Sequence, residues 1–202
     1  MMQFPVLFRP LFGNVLWRVS TQKKEIFLSF DDGPIPEVTP LVLEILAFYQ
    51  WKATFFCVGE NVAKYPELLN QILAGGHGVG NHTYNHMNGF KHGAKEYCDN
   101  ILKASEYIPG KLFRPPHGKI TISQLQGLKR DYKIVMWDII SYDYDKKMSS
   151  VAILKLMKKN LRKGSIVVFH DSLKARERVL DVLPKLLEFW ISEGYTGAAL
   201  SG

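Results

Sequence analysis

Short apolar segments rich in β-branched and aromatic residues alternate along the chain with longer segments of helical periodicity. In the first helical segment, apolar residues recur three and four positions apart, as at Val38, Val42 and Ile45. The expected strands lie at 25–30, 53–58, 78–81, 111–113, 133–137, 166–169 and 198–200, and the expected helices at 37–50, 65–74, 94–108, 122–129, 149–161 and 178–193. Strands separated by helices form parallel βαβ units, and strands that are apolar throughout are covered on both faces. The sequence therefore predicts one α/β domain built on a parallel sheet.

Length, composition and charge describe an ordinary globular protein with a surplus of basic residues. The chain has 202 residues, the size of one domain, of which 47% are hydrophobic and 22% charged. Its net charge of +7 suits polyanions such as nucleic acid or an anionic cell-wall polymer. The basic residues are scattered, however, and the dense stretch 155–163 has the pattern of a solvated helix face. We therefore expect no nucleic-acid partner.

The chain ends and the cysteines add little that is specific. Residues 1–24 show no clear period and are expected to form an irregular or half-helical lead-in, packed on a domain that spans 25–202. No usual signal peptide or membrane-length apolar run is seen, so a cytoplasmic location is expected by default. Cys57 and Cys98 make no disulfide framework, and Cys57 lies in an apolar run that predicts a buried thiol. The oligomeric state stays open, with a monomer favoured.

Two adjacent carboxylates, Asp31 and Asp32, follow the first predicted strand and precede a break at Gly33 and Pro34. A strand that ends there delivers both acids to the turn after it, so one can bind a metal ion while the other stays free as a base. Asp-Asp-Gly is also a common turn. The functional interpretation therefore depends on the residues downstream.

Polar side chains follow several later strands as well: His82, Arg114, Asp138 and His170. The carboxyl ends of parallel strands lie on one face of the sheet, so we expect these residues to meet Asp31 and Asp32 there. His82 and His86 are four positions apart, and with one carboxylate they form a set typical of catalytic zinc or non-haem iron sites. Two other histidines, His77 and His92, are expected at the surface.

Two further segments suggest supporting groups. The segment 114–118, with two prolines and a glycine, is expected to present Arg114 and the backbone N–H near His117, and a guanidinium can hold a carboxylate in one orientation. His170 follows an apolar strand, and a carboxylate from the acid-rich loop 137–145 would make it a general acid. Alone, such a histidine is more often a core residue.

Taken in chain order, these motifs resemble those of the polysaccharide deacetylases, the NodB-homology group also called carbohydrate esterase family 4. The matching segments are 29–33 for Thr/Ser-Phe-Asp-Asp-Gly, 82–86 for His-Ser/Thr-x-x-His, 114–118 for Arg-Pro-Pro-Tyr-Gly, 138–144 for Asp-x-x-Ser-x-Asp-Trp, and 168–171 for Val-Phe-His-Asp. The resemblance runs from about residue 25 to 195. It implies a distorted parallel (β/α) barrel with fewer than eight strands.

The resemblance also implies roles on the metal side of the site. Asp32, His82 and His86 would be the metal ligands, and Asp31 the catalytic base oriented by Arg114. The metal would be zinc, although cobalt, nickel and iron accept the same ligands.

On the acid side, the resemblance makes His170 the general acid, tuned by Asp143, and the backbone N–H of His117 part of the oxyanion site. Three residues depart from the family pattern. Tyr144 replaces Trp, Ile140 stands where Asp is frequent, and His117 replaces Tyr. These departures affect the acid and the sugar-binding surface, where Tyr144 is expected, and leave the metal ligands intact.

The activity implied is metal-dependent removal of N-acetyl groups from an N-acetylhexosamine polymer, such as peptidoglycan or a chitin-like oligosaccharide. A metal amidase of the same fold acting on small or cyclic amides is the alternative, and an enclosed pocket would favour it. A non-catalytic carbohydrate-binding domain ranks third, because it needs neither base nor acid. Tyr84, Tyr142 and Tyr144 are candidates for stacking on sugar rings, whereas core packing is expected for Trp51.

Overall fold

The computed structural model describes residues 15–201, which form a half-barrel of parallel strands covered by helices. The strands are β1 (Glu25–Asp31), β2 (Ala53–Cys57), β3 (Gly78–Asn81), β4 (Leu112–Phe113), β5 (Lys133–Ile134), β6 (Ile139–Ile140), β7 (Ile166–His170) and β8 (Thr196–Gly197). The helices are α1 (Thr39–Phe48), α2 (Gly59–Lys64), α3 (Pro66–Ala74), α4 (Ala94–Ser105), α5 (Ile122–Leu128), α6 (Ser150–Asn160) and α7 (Arg176–Ser192). The strand order is β5-β4-β3-β2-β1-β7-β6, all pairings are parallel, and β8 pairs with β1. The predicted distorted barrel is confirmed.

Alternate residues of β1 face two different environments. Ile26, Leu28 and Phe30 are buried in the core that β1 shares with α1 and α7. Successive side chains of a strand point to opposite faces, so Ser29 and Asp31 face the inside of the half-barrel. Both are buried, and buried polar groups require hydrogen-bond partners. The inner face of β1 is therefore where the polar site begins.

The register of the central strands places distant residues side by side. Asp31 is paired with His170 of β7 and with Phe56 of β2. Because the strands run parallel, their carboxyl ends lie on one edge of the sheet. The base and the acid expected from the sequence are thus neighbours at that edge.

The segment before β1 packs across the opening of the half-barrel. Leu16 pairs with Val135, just after β5, and Arg18 pairs with Ser165, just before β7. The described part of the predicted lead-in, residues 15–24, therefore contacts the sheet. The expectation for residues 1–14 lies outside the described residues.

Asp138 lies at the opposite edge of the sheet from the other polar residues with which the sequence grouped it. The strand expected at 133–137 is interrupted, so Asp138 precedes a strand instead of following one. Its backbone N–H donates to the carbonyl of Ile166 at the start of β7, and its carboxylate accepts from Arg162 and Ser165. The prediction for Asp138 is wrong, because the apolar pattern of this stretch does not reveal the break between β5 and β6.

Local structure differs from expectation in a few other places. Helix α2 was not predicted, since six residues are too few to show helical periodicity. The last strand lies just before the expected segment 198–200. His77 is 8% exposed and accepts a hydrogen bond from the backbone N–H of Ala53, so its predicted surface position is wrong. Burial lowers the pKa of His77 to about 4.

Other predictions for single residues are confirmed. The Cys57 side chain is buried, and Trp51 packs in the core against Trp190. Within residues 15–201, no helix combines the length and the apolar character needed to cross a membrane.

Candidate active site

A cavity of about 300 Å³ opens at the carboxyl ends of the strands, where the predicted polar residues meet. Its walls are formed by Asp31, Asp32, His82, His86, His117, Trp137, Ile140, Tyr142, Tyr144, His170 and Lys174. Arg114 and Asp143 are fully buried, and each is bonded to a residue of the wall. The structure therefore brings together the predicted metal ligands, base, acid and supporting residues. Asp138 is not among them, and Tyr84, a candidate for sugar stacking, packs against the core beside Tyr107 instead of lining the cavity.

Arg114 holds Asp31 from inside the half-barrel. Its Nη1 donates to Asp31 Oδ1 at 2.6 Å and to Ser29 Oγ at 2.8 Å. Its other donors reach the backbone oxygens of Val135 at 3.3 Å and Met136 at 3.0 Å. Burial lowers the pKa of Arg114, while the charge of Asp31 opposes that effect. A guanidinium bonded on all sides has one orientation, which fixes the carboxylate of Asp31.

The turn after β1 is anchored by Asp171, a residue to which the sequence assigned no role. Its Oδ1 accepts from the backbone N–H of Gly33 at 3.0 Å, and its Oδ2 accepts from the hydroxyl of Thr39 at 2.6 Å. A side chain at Gly33 would collide, since a Cβ there would lie 1.9 Å from Asp171 Oδ2. Asp32 has φ of 81°, which non-glycine residues rarely adopt. The bonds of Asp171 therefore stabilise an unusual turn that directs Asp32 into the cavity.

The carboxylate of Asp32 and the imidazoles of His82 and His86 converge. Asp32 Oδ1 lies 3.8 Å from His82 Nε2 and 3.1 Å from His86 Nε2. Among residues 15–201 this is the one group of three such side chains whose ligand atoms all lie within 4.8 Å of one another. One carboxylate and two imidazoles are a donor set that catalytic divalent metals accept. The residues present therefore fit a divalent metal ion.

His82 is oriented for ligation by the backbone carbonyl of Arg114. Its Nδ1 lies 2.7 Å from that oxygen, and because a carbonyl only accepts, Nδ1 carries the proton and Nε2 keeps its lone pair. Burial lowers the pKa of His82 to about 4. Burial by itself would raise the pKa of Asp32. The hydrogen bond with His86 and the charges of the neighbouring histidines outweigh burial, so the pKa of Asp32 is lowered. Both groups are thus in the protonation state that metal binding requires.

Next to Asp31, at the end of β7, His170 is paired with the buried side chain of Asp143. His170 Nδ1 lies 2.7 Å from Asp143 Oδ1, and the backbone N–H of His170 donates to Oδ2 at 2.8 Å. The hydroxyl of Ser141 donates to Oδ1 at 2.8 Å. Burial disfavours the imidazolium. The charge and hydrogen bond of Asp143, with smaller effects from the charges of Asp32 and Asp31, outweigh burial and raise the pKa of His170 to about 9. His170 is therefore protonated at neutral pH.

Two residues that depart from the family pattern form the remaining walls. The ring of Tyr144 meets His170 edge-on with centroids 4.8 Å apart, and it is 39% exposed. His117 has φ of 58°, and its ring lies 4.6 Å from that of His86. Burial, followed by the charge of His86, lowers the pKa of His117.

Sequence reasoning missed three residues near the cavity. Trp137 and Lys174 line it, and Asp171 supports its metal side. Asp171 directly follows His170 in the last motif, which was the available signal. Trp137 and Lys174 lie in the irregular segments after β5 and β7. These segments have no helical or strand periodicity from which the position of either side chain could be predicted.

The half-barrel and this constellation are those expected of a metal-dependent hydrolase. A family model described as polysaccharide deacetylase matches residues 18–132. The chain belongs to this family, whose enzymes are divalent-metal deacetylases of carbohydrate substrates. The resemblance noted from the motifs is thereby confirmed, and the chain is a polysaccharide N-deacetylase.

Individual relatives agree with this assignment. The chain is 34% identical over 196 residues to a peptidoglycan-N-acetylglucosamine deacetylase of Bacillus cereus, covering 94% of this chain and 92% of the relative. It is 32% identical over 162 residues to a chitooligosaccharide deacetylase of Azorhizobium caulinodans, covering 76% and 77% of the two chains. The crystal structure of the Bc1960 peptidoglycan N-acetylglucosamine deacetylase matches with a TM-score of 0.89 and 31% identity, covering 97% of this chain and 94% of that one.

Proposed function

We propose that this enzyme removes N-acetyl groups from the N-acetylglucosamine residues of peptidoglycan, with a zinc ion held by Asp32, His82 and His86. The observation that carries the proposal is one cavity that unites a fixed carboxylate, a set of side chains that fits a metal ion, and an imidazole hydrogen-bonded to a buried carboxylate. Similarity to deacetylases of peptidoglycan supports this polymer. Similarity to the Azorhizobium enzyme supports a chitin-like oligosaccharide as the second candidate.

Zinc suits the ligand set, although cobalt, nickel and iron accept the same carboxylate and imidazoles. When bound, such an ion acts as a Lewis acid that polarises the acetyl carbonyl and lowers the pKa of a coordinated water from about 15.7 towards about 7.

Asp31 is the proposed general base. Its Oδ1 is occupied by Arg114, so Oδ2 remains to take a proton from the attacking water. Arg114 also keeps the carboxylate from turning away between cycles. The neighbouring Asp32 serves a different task, because the turn at φ of 81° sends its carboxylate towards His82 and His86.

His170 is the proposed general acid. Its Nδ1 is engaged by Asp143, which leaves the Nε2 proton for the sugar amine as the C–N bond breaks. His117 lines the cavity, and we propose that its backbone N–H donates to the developing oxyanion. Proton acceptance and proton donation are thus assigned to two neighbouring residues, at the carboxyl ends of β1 and β7.

The test is acetate release from cell-wall peptidoglycan and from N-acetylglucosamine oligomers by zinc-loaded protein, with a chelated sample as control. We expect release that disappears on chelation and is faster from peptidoglycan. Faster release from the neutral oligomers would favour the chitin-like substrate. Release from neither polymer, with metal bound, would overturn the proposal and favour the small-amide hydrolase. The cytoplasmic location and monomeric state expected from the sequence stay predictions.

A further inference from the structure

A second cavity of about 530 Å³ adjoins the catalytic one. The two share Tyr142, which lines both. Tyr142 has φ of 59°, a left-handed conformation that costs a bulky residue free energy and is found more often at functional positions. A polymer that fills the catalytic cavity can therefore extend past Tyr142 without leaving the protein surface.

The second cavity has an apolar floor and a basic rim. The floor includes Met148, Ala152 and Leu156, of which the last two lie on α6. The rim includes Lys155 and Lys159, which are one helical turn apart and therefore lie on the same face of α6. This chemistry suits a ligand that carries both methyl groups and negative charge.

The two lysines are available for such a ligand. Both are exposed, and neither lies within ion-pair distance of an acidic side chain in the chain from residue 15 to 201. The one acidic residue in the cavity wall, Asp145, uses its carboxylate to accept from the backbone N–H of Lys147 at 2.9 Å. Lys158 on the same helix instead lies over the ring of Phe189, 4.3 Å from its centroid. The basic character of the cavity therefore comes from Lys155 and Lys159.

We propose that this cavity, between Tyr142 and the Lys155–Lys159 face of α6, binds the short acidic peptide attached to a peptidoglycan strand. The proposal rests on the proposed function, because it requires a glycan in the catalytic cavity. Lys155 and Lys159 bind the peptide carboxylates, while the methyl groups of its alanine residues pack on Met148 and Leu156. The site distinguishes peptidoglycan from a neutral chitin-like chain without any contact to the reacting acetyl group.

A carboxylate on a glycan has two sources, the peptide and the lactyl group of the sugar that carries it. The lactyl group is attached directly to the ring, and it is too small to fill a cavity of about 530 Å³. The peptide is long enough to reach beyond Tyr142 and supplies several carboxylates and methyl groups. Size and chemistry therefore favour the peptide.

The test is binding of three oligosaccharides to zinc-loaded protein, measured by isothermal titration calorimetry. The probes are a peptidoglycan tetrasaccharide with its peptides, the same tetrasaccharide after an amidase has removed them, and an N-acetylglucosamine tetramer. We expect the peptide-bearing probe to bind about three- to tenfold more tightly than the other two, since two exposed ion pairs contribute that much. In the variant K155Q/K159Q this preference should disappear, with affinity for the other two probes unchanged.

The matched control is K158Q/K163Q, which removes the same charge from α6 and the residues after it, outside the cavity wall. It should keep the preference for the peptide-bearing probe. Equal binding of all probes by the wild type, an intact preference in K155Q/K159Q, or an equal loss in the control would overturn the proposal. An equal loss of affinity for the amidase-treated probe would assign the lysines to the lactyl carboxylate and would also overturn it.

Binding does not depend on turnover, so the two proposals fail separately. If the wild type released no acetate from any probe, the proposed function would be wrong, and the calorimetry would still decide whether the peptide site exists. In an active enzyme, K155Q/K159Q should leave acetate release from the N-acetylglucosamine tetramer unchanged, because neither lysine lines the catalytic cavity.

Discussion

The two walls of the catalytic cavity are held by different means. On the metal side, Asp31 is fixed by a buried arginine, and the turn that carries Asp32 is anchored by Asp171. On the acid side, His170 depends on one buried partner, Asp143, and on the edge of the partly exposed Tyr144. Different side chains therefore support the proposed metal binding and the proposed proton donation, and we expect substitutions to remove one without the other.

The largest loss of activity is expected when the proposed base, Asp31, is replaced and the three proposed metal ligands are kept. Asp31→Asn should lower the turnover number by about 10²- to 10⁴-fold, because the amide cannot accept the proton of the attacking water. The metal content per chain should be unchanged, since Asp31 is not one of the three ligands. Acetate release and metal analysis on the same sample measure both. Asp99→Asn, at an exposed position on α4 that pairs with Lys95, is the control for loss of one charge. Turnover near that of the wild type would contradict the assignment.

On the acid side, replacing Asp143 should change the pH dependence of the rate of acetate release. The pKa of His170 near 9 keeps it protonated, and thus active as an acid, up to about pH 9, above which the rate should fall. In Asp143→Asn, burial is no longer opposed by the carboxylate charge, so the pKa of His170 falls and the alkaline limb moves to lower pH. At pH 8 the rate should drop about tenfold or more. A limb that stays in place in the variant would show that Asp143 does not control the acid.

Replacing Asp171, which anchors the turn that carries Asp32, should weaken metal binding and leave the acid His170 unchanged. Asp171→Ala removes the carboxylate that accepts from the backbone N–H of Gly33 and from the hydroxyl of Thr39. Groups that support metal ligands in this way contribute about 10- to 100-fold to metal affinity. We expect a weaker zinc affinity of that size in a competition titration with a chelator. Asp171→Asn retains an acceptor oxygen and should stay close to the wild type. Equal zinc affinity in the alanine variant would mean that the turn holds without its anchor.

The smallest effect is expected from restoring the family residue on the acid side. Tyr144→Trp enlarges the ring that meets His170 and lines the cavity, and aromatic contacts contribute about 0.5–1.5 kcal/mol. The KM for an oligosaccharide should fall about two- to tenfold. Zinc affinity and the alkaline limb should not move. A shift of the limb would mean that Tyr144 also tunes the pKa of His170.

The sequence predicts much of the fold and the proposed metal-ligand set, because the patterns that indicate them lie within short segments of the chain. Apolar segments with clear boundaries predicted β1, β2 and β7, and polar residues directly after them predicted the edge where Asp31 and His170 meet. The proposed ligands His82 and His86 lie within one short motif, so their proximity required no knowledge of the tertiary structure.

The features that the sequence does not predict arise from contacts between segments that are far apart in the chain. Asp138 was assigned to the wrong edge because residues 135–138 connect β5 to β6 across the opening, which no periodicity records. Asp171 acts through hydrogen bonds to Gly33 and Thr39, far away in the sequence. The second cavity is defined by a loop and by one face of α6, whereas the basic stretch 155–163 alone has the pattern of a solvated helix face.

The most direct test of the metal-dependent mechanism is a zinc titration of chelator-treated enzyme, followed by acetate release from peptidoglycan, for the wild type and for His82→Ala. The wild-type rate should rise in proportion to added zinc and level off at one ion per chain. His82→Ala should bind zinc weakly and stay inactive over the same range. A chelated wild type that releases acetate at an undiminished rate, or a His82→Ala variant that matches the wild type, would contradict the assignment of the ligands.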